Sequence, residues 1–118
     1  MSQPTVSLHP YFKVQAGQLD AAKALLPRFV ERTASEPACR SYEFTVNNDE
    51  VFCREAYADA AGTLAHLTNV GDLLGEMLKI ADLIRLEVHG PAAELEQLKG
   101  PLADLKPAWF EWACGLQR

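Results

Sequence analysis

Residues 6–14 (VSLHPYFKV) alternate between apolar and polar positions, which predicts a strand with Leu8, Phe12 and Val14 on one face. Pro10 has no amide hydrogen to give a neighbour, so this strand is expected at a sheet edge or with a bulge. After Gly17 the spacing lengthens: Leu19, Ala22, Leu25, Leu26, Phe29 and Val30 recur at helical intervals within Gln18 to Ser35. Pro27 displaces the hydrogen bond to the Lys23 carbonyl and predicts a kink. Glu36-Pro37 ends the helix. The segments CRSYEFTVN (39–47) and EVFCREAY (50–57) flank a polar turn at Asn48 and Asp49, which predicts a hairpin. Centring the turn between those two residues sets Val46 against Val51, Phe44 against Cys53 and Tyr42 against Glu55 on one side. Glu43 then lies opposite Arg54 on the other, a favourable charge pair that supports the register.

Asp59 is suited to cap a helix from about Ala60 to Leu67, and Asn69 to cap a second, with Val70, Leu73, Leu74, Met77, Leu78 and Ala81 as its buried stripe. Residues 83–89 (LIRLEVH) read as a strand with Ile84, Leu86 and Val88 on one face. Gly90-Pro91 opens a helix carrying Leu95 and Leu98, and Gly100-Pro101 stops it. A turn at Leu102 and Leu105 leads to a last strand, Ala108 to Cys114. The order β-α-β-β-α-(α)-β-α-β is that of an α+β, ferredoxin-like fold: a split β-α-β antiparallel sheet with helices on one face. The other face, carrying Phe52 and Trp109, is then left uncovered, and a second copy packed sheet to sheet is the simplest cover. A homodimer is expected.

At 118 residues the chain is read as one domain, 1–118, with a core of about 5–115. Hydrophobic residues at 48% and charged residues at 23% are ordinary globular usage. The formal charge of −5, with no basic cluster, speaks against nucleic acid and anionic membranes as partners. Cys39, Cys53 and Cys114 are odd in number and lack a C-x-x-C pair, so neither disulfide framework nor metal site is expected. The opening Met1-Ser2-Gln3-Pro4 lacks the layout of a secretory signal, and a cytoplasmic location is expected.

The stretch Glu36-Pro37-Ala38-Cys39-Arg40-Ser41-Tyr42 resembles the E-P-G-C-x-x-Y entry to the second strand in the antibiotic biosynthesis monooxygenase family. Glu55-Ala56-Tyr57-Ala58-Asp59, followed by Ala65-His66-Leu67, resembles that family's E-x-[YW]-x-[DS]…A-H-[LR] segment. The resemblance implies a dimeric α/β barrel whose pocket lies between sheet and helices. Members include cofactor-independent monooxygenases of aromatic polyketides or quinols, isomerases of small signalling molecules and haem degraders. Three departures are visible. Ala38 stands where the family has glycine. Cys53 and Tyr57 stand where the polyketide oxygenases carry asparagine and tryptophan. The segment Leu73-Leu74-Gly75-Glu76-Met77 holds none of the histidine that haem degradation needs.

Val51, Cys53, Glu55 and Tyr57 share one strand face, an apolar face with a single carboxylate. Glu55 lies about 7 Å before the strand end, and His66 has come back about 9 Å along the next helix, so the two meet at similar depth. An apolar setting raises a carboxyl pKa, and an adjacent imidazole can share its proton. Glu55 and His66 are therefore a candidate acid/base pair, able to deprotonate a phenol or hydroquinone to an anion that reduces O₂. Tyr57 joins them as a candidate catalytic group. Phe12, Tyr42, Phe44, Cys53, Leu74 and Met77 are candidate pocket residues. Neither a cofactor nor a metal is called for. The other reading of the same pair is a structural hydrogen bond under the helix, which leaves a small-ligand-binding or stress-response module of the same fold. Isomerisation of a small ketone is a third. His9 and His89 are expected on the opposite face.

Overall fold

The computed structural model describes residues 4–116. Met1–Gln3, part of the N-terminal stretch considered above, lie outside the described residues. The elements are β1 (Val6–Val14), α1 (Leu19–Thr33), β2 (Cys39–Asn47), β3 (Glu50–Tyr57), α2 (Ala60–Asn69), α3 (Gly71–Ile80), β4 (Ala81–Gly90), α4 (Ala92–Lys99), a 3₁₀ turn (Ala103–Leu105) and β5 (Ala108–Glu111). The sheet order is β2-β3-β1-β4-β5. The first four strands pair antiparallel, and β5 adds to β4 in parallel at the edge. This is the expected α+β, ferredoxin-like arrangement. Among the described residues no helix is long and apolar enough to cross a membrane.

The β2–β3 hairpin has the register read from the sequence, including Tyr42 opposite Glu55 and Phe44 opposite Cys53. Asn48 takes a left-handed backbone (φ 54°) at its turn, a conformation that asparagine tolerates better than most residues. Glu43 and Arg54 form the cross-strand pair at 3.1 Å. Asp59 caps α2, its carboxylate accepting from the Gly62 amide at 2.7 Å.

Several local expectations change. The first strand is central, between β3 and β4, and the bulge lies opposite it, on β4. Pro10 stands opposite Leu86 of β4, and the β1–β3 partners skip His9 and Pro10 with no change of register. On β4, Tyr11 pairs with Arg85 but Phe12 with Leu83, so Ile84 is the surplus residue. It therefore sits outside, 52% exposed, while Leu83 packs inward. Asn69 does not cap α3, whose cap residue is Val70; the Asn69 amide is spent on α1 instead. Helix α1 runs unbroken through Pro27, and Val30 and Leu78 face outward where burial was expected. Trp109 packs on the helix side of the sheet, next to Val88, and Phe110 takes the open side. The last strand ends at Glu111, short of Cys114.

Two apolar clusters fill the space between sheet and helices. One joins Phe12, Val51, Phe29, Leu73 and Met77, and the other joins Leu8, Tyr57, Val88, Leu95 and Leu98. Glu55 and His66 are the acidic and basic side chains buried in this layer.

Candidate functional site

The hairpin register brings Cys53 and Glu55 to the covered face of β3, and α2 returns over them with its inward stripe of Gly62, Thr63 and His66. Gly62 allows this close approach. A Cβ there would stand 2.6 Å from the Ala38 Cβ, so the extra methyl at 38 is matched by the absence of one at 62.

His66 is 2% exposed and lies between the rings of Tyr42 and Tyr57, each 5.0 Å away centroid to centroid. Its Nε2 faces Glu55 Oε1 at 3.4 Å. Its Nδ1 meets both oxygens of Glu36, at 3.0 and 3.1 Å. The Tyr57 hydroxyl donates to Glu55 Oε1 at 2.6 Å. Glu36 also accepts from Asn69 Nδ2 at 2.7 Å, and Asn69 and Arg32 bond each other's backbone oxygens. A carboxylate can only accept, so these partners assign the Nδ1 proton to the ring and leave Nε2 toward Glu55.

Burial pushes the Glu55 carboxyl above the usual range, opposed by the nearby His66 and by hydrogen bonds from Tyr57 and Cys53. The Cys53 thiol and the Tyr42 and Tyr57 phenols are all held protonated, first by burial and then by charged or ionisable neighbours, Glu55 among them. Cys53 is thus no nucleophile here.

Glu55 and His66 contribute to the wall of a recess between sheet and helices. Phe12, Tyr42, Phe44, Cys53, Leu74 and Met77, the residues expected to line a pocket, all border it. Leu78, Leu83, Leu86 and, from the 3₁₀ turn, Leu105 complete its outer part. The recess has a cavity volume of about 60 Å³. The closed interior is narrow. Tyr57 does not border the recess. It is wholly buried behind Glu55, so it orients the carboxylate instead of meeting a ligand. Sequence reasoning missed Glu36. The residue lies in a stretch quoted for its resemblance, yet its contact with His66 crosses 30 positions and no local pattern announces it.

Among the described residues, no three His, Cys, Asp or Glu side chains are placed to hold a metal ion. His9 and His89 lie on the uncovered face, stacked on Phe52 and Phe110 respectively.

No curated protein matches the chain. Among solved structures it is similar to MupZ from Pseudomonas fluorescens, with 43% identity, a TM-score of 0.92, and 97% of this chain and 94% of that one covered. A conserved protein from Methanosarcina mazei shares the fold at 13% identity and a TM-score of 0.69, covering 75% of this chain and 93% of that one. The family model for antibiotic biosynthesis monooxygenase matches residues 5–71, the span that holds Glu36, Glu55 and His66. With more than half its length matched in sequence and the sheet, helices and recess arranged as above, the chain belongs to the antibiotic biosynthesis monooxygenase family.

Proposed function

We propose that this protein is an acid/base enzyme, a cofactor-independent monooxygenase that deprotonates a small quinol-like or phenolic molecule and lets the resulting anion reduce O₂. One observation carries this reading. A buried carboxyl, braced by Tyr57 and flanked by an imidazole, opens onto a recess whose walls are mostly apolar. In water a phenol is too weak an acid to ionise fully near neutral pH. A base whose own pKa is raised narrows that gap. Glu55 takes the proton, His66 shares it, and Tyr42 at the wall can donate to the charge left on the substrate oxygen. The narrow interior favours a single ring entering edgewise over a polycyclic one.

The functional unit in this proposal is a homodimer in a reducing, cytoplasmic setting. Ile84, Phe110 and Trp112 stand 52%, 42% and 47% exposed, on β4 and in and just beyond β5, and the cysteines carry no disulfide among themselves. Covering the open sheet face with a second copy removes that surface from water. Sedimentation at micromolar concentration is expected to give twice 13.0 kDa.

The deciding assay is oxygen uptake with a panel of monocyclic hydroquinones and phenols, comparing the parent chain with His66→Ala. Uptake that falls by roughly 10²–10⁴-fold in the variant supports the proposal. If nothing in the panel consumes O₂ and both proteins bind its members equally well, the molecule is a binding module. Turnover that continues under argon instead makes it an isomerase.

A further inference from the structure

The imidazole of His66 has two carboxylates, one on each side, and they belong to different compartments. Glu55 borders the apolar recess. Glu36 borders a second, more open pocket at the end of α1 and the start of β2, together with Thr33, Cys39, Ser41 and Tyr42. Of all these residues only Tyr42 borders both pockets. The His66–Glu36 hydrogen bond therefore crosses the wall between them. The second pocket is wetter in character. Its walls carry a carboxylate, the Arg40 guanidinium and three hydroxyls, and the buried Thr33 Oγ1 lies beside the Tyr42 phenol without a partner in hydrogen-bond geometry.

We propose that Glu36 is the outer terminus of a three-group proton relay, Glu55–His66–Glu36, which moves a proton between the closed recess and the solvent-open pocket. The proposal rests on the reading of Glu55 as the base. When Glu55 has taken a proton, its O–H bond breaks as an N–H bond forms at His66 Nε2. The Nδ1–H bond breaks as an O–H bond forms on Glu36, so the imidazole ends neutral and turned to its other tautomer. Charge is conserved: Glu55 is again a carboxylate, and the proton waits on Glu36, a side chain that solvent can reach. Running backward, the same two transfers deliver the proton to the recess and restore the starting tautomer. No ring rotation is needed. Asn69, fixed to the end of α1, holds the Glu36 oxygen in place throughout.

This gives Glu36 a job that a purely structural ion pair lacks. A brace needs only to hold the ring, whereas a relay terminus must also hand its proton to water. The enclosed side offers no such outlet, because desolvation there opposes any charge left behind.

The test needs no substrate. In the full chain labelled with ¹⁵N-histidine, NMR reads the His66 tautomer and the rate at which its ring N–H exchanges with D₂O. Expected are an Nδ1-protonated ring and exchange at least 10-fold slower in Glu36→Gln than in the parent. Should that variant fail to fold, Ser41→Trp, which crowds the exposed rim of the second pocket and leaves Glu36 in place, is expected to slow exchange several-fold. Folded Glu36→Gln protein exchanging as fast as the parent overturns the relay, as does unaltered exchange in Ser41→Trp or a ring unprotonated at Nδ1. Exchange that depends on Glu36 in a protein that turns over no phenol keeps the relay and removes the oxygenase reading.

Discussion

Each face of the sheet carries a glutamate beside a histidine, and the two pairs behave oppositely. On the covered face Glu55 and His66 stand 3.4 Å apart; on the open face Glu87 and His89 stand 3.1 Å apart. The shorter pair is the ordinary one. Hydrogen bonds from His89 and then Arg85 hold the Glu87 carboxyl below its usual range. Burial holds the Glu55 carboxyl above it in spite of an imidazole and a phenol within reach. Distance between partners does not decide which pair is primed for proton transfer. Access to water does, because solvent stabilises the ionised form of one carboxylate and is denied to the other.

Three experiments probe that contrast, in order of expected size. Met77→Ala, on the buried face of α3 and 1% exposed, should destabilise the protein by roughly 2–5 kcal/mol, while Phe110→Ala on the open face should change the folding of a protomer by under about 0.5 kcal/mol. Urea unfolding measures both. Similar losses would mean that the open face is packed as tightly as the covered one. Gly62→Ala should cost about 1–3 kcal/mol, since its methyl meets the Ala38 Cβ at 2.6 Å, and Ala38→Gly in the same chain should recover most of it.

The smallest effect tests electrostatics directly. A carboxyl raised in the folded state favours folding below its unfolded pKa and loses that contribution as pH rises through the folded value. Glu55→Gln should therefore stabilise the protein by roughly 1 kcal/mol at pH 8 and by progressively less toward pH 4. Glu87, shifted the other way, contributes above its unfolded pKa and less as pH falls, so Glu87→Gln should be neutral or slightly destabilising at pH 8. Thermal melts at the two pH values report both signs. The same sign for both would remove the distinction between the faces.

Much of this architecture could be read from the residues alone. Alternation in 6–14 and the complementary hairpin strands fixed β1, β2 and β3 to the residue, because period-two patterns and a polar turn leave one workable register. Glu55 and His66 were legible for the same reason, since strand rise and helix rise are constants. The failures are where one residue changes the count or where a partner is remote. Ile84 is apolar, and only the bulge opposite Tyr11 and Phe12 explains why it faces water. Asn69 looks like a helix cap, but a tertiary bond to Glu36 outbids the local one. Tyr57 sits on the right strand face, yet the depth of the layer puts it behind the carboxylate and away from the recess.

The recess also divides along the chain in an instructive way. Every polar side chain on its wall, Tyr42, Cys53, Glu55 and His66, falls within residues 5–71, whereas the later contributors are Leu74, Met77, Leu78, Leu83, Leu86 and Leu105. The polar groups thus all come from the first stretch, while the second adds only apolar wall. If the proposed chemistry holds, trading the late leucines for larger or smaller aliphatics would retailor which molecules are admitted without touching Tyr42, Cys53, Glu55 or His66, and Leu105, on a short turn at the mouth, is the position from which such retailoring can begin.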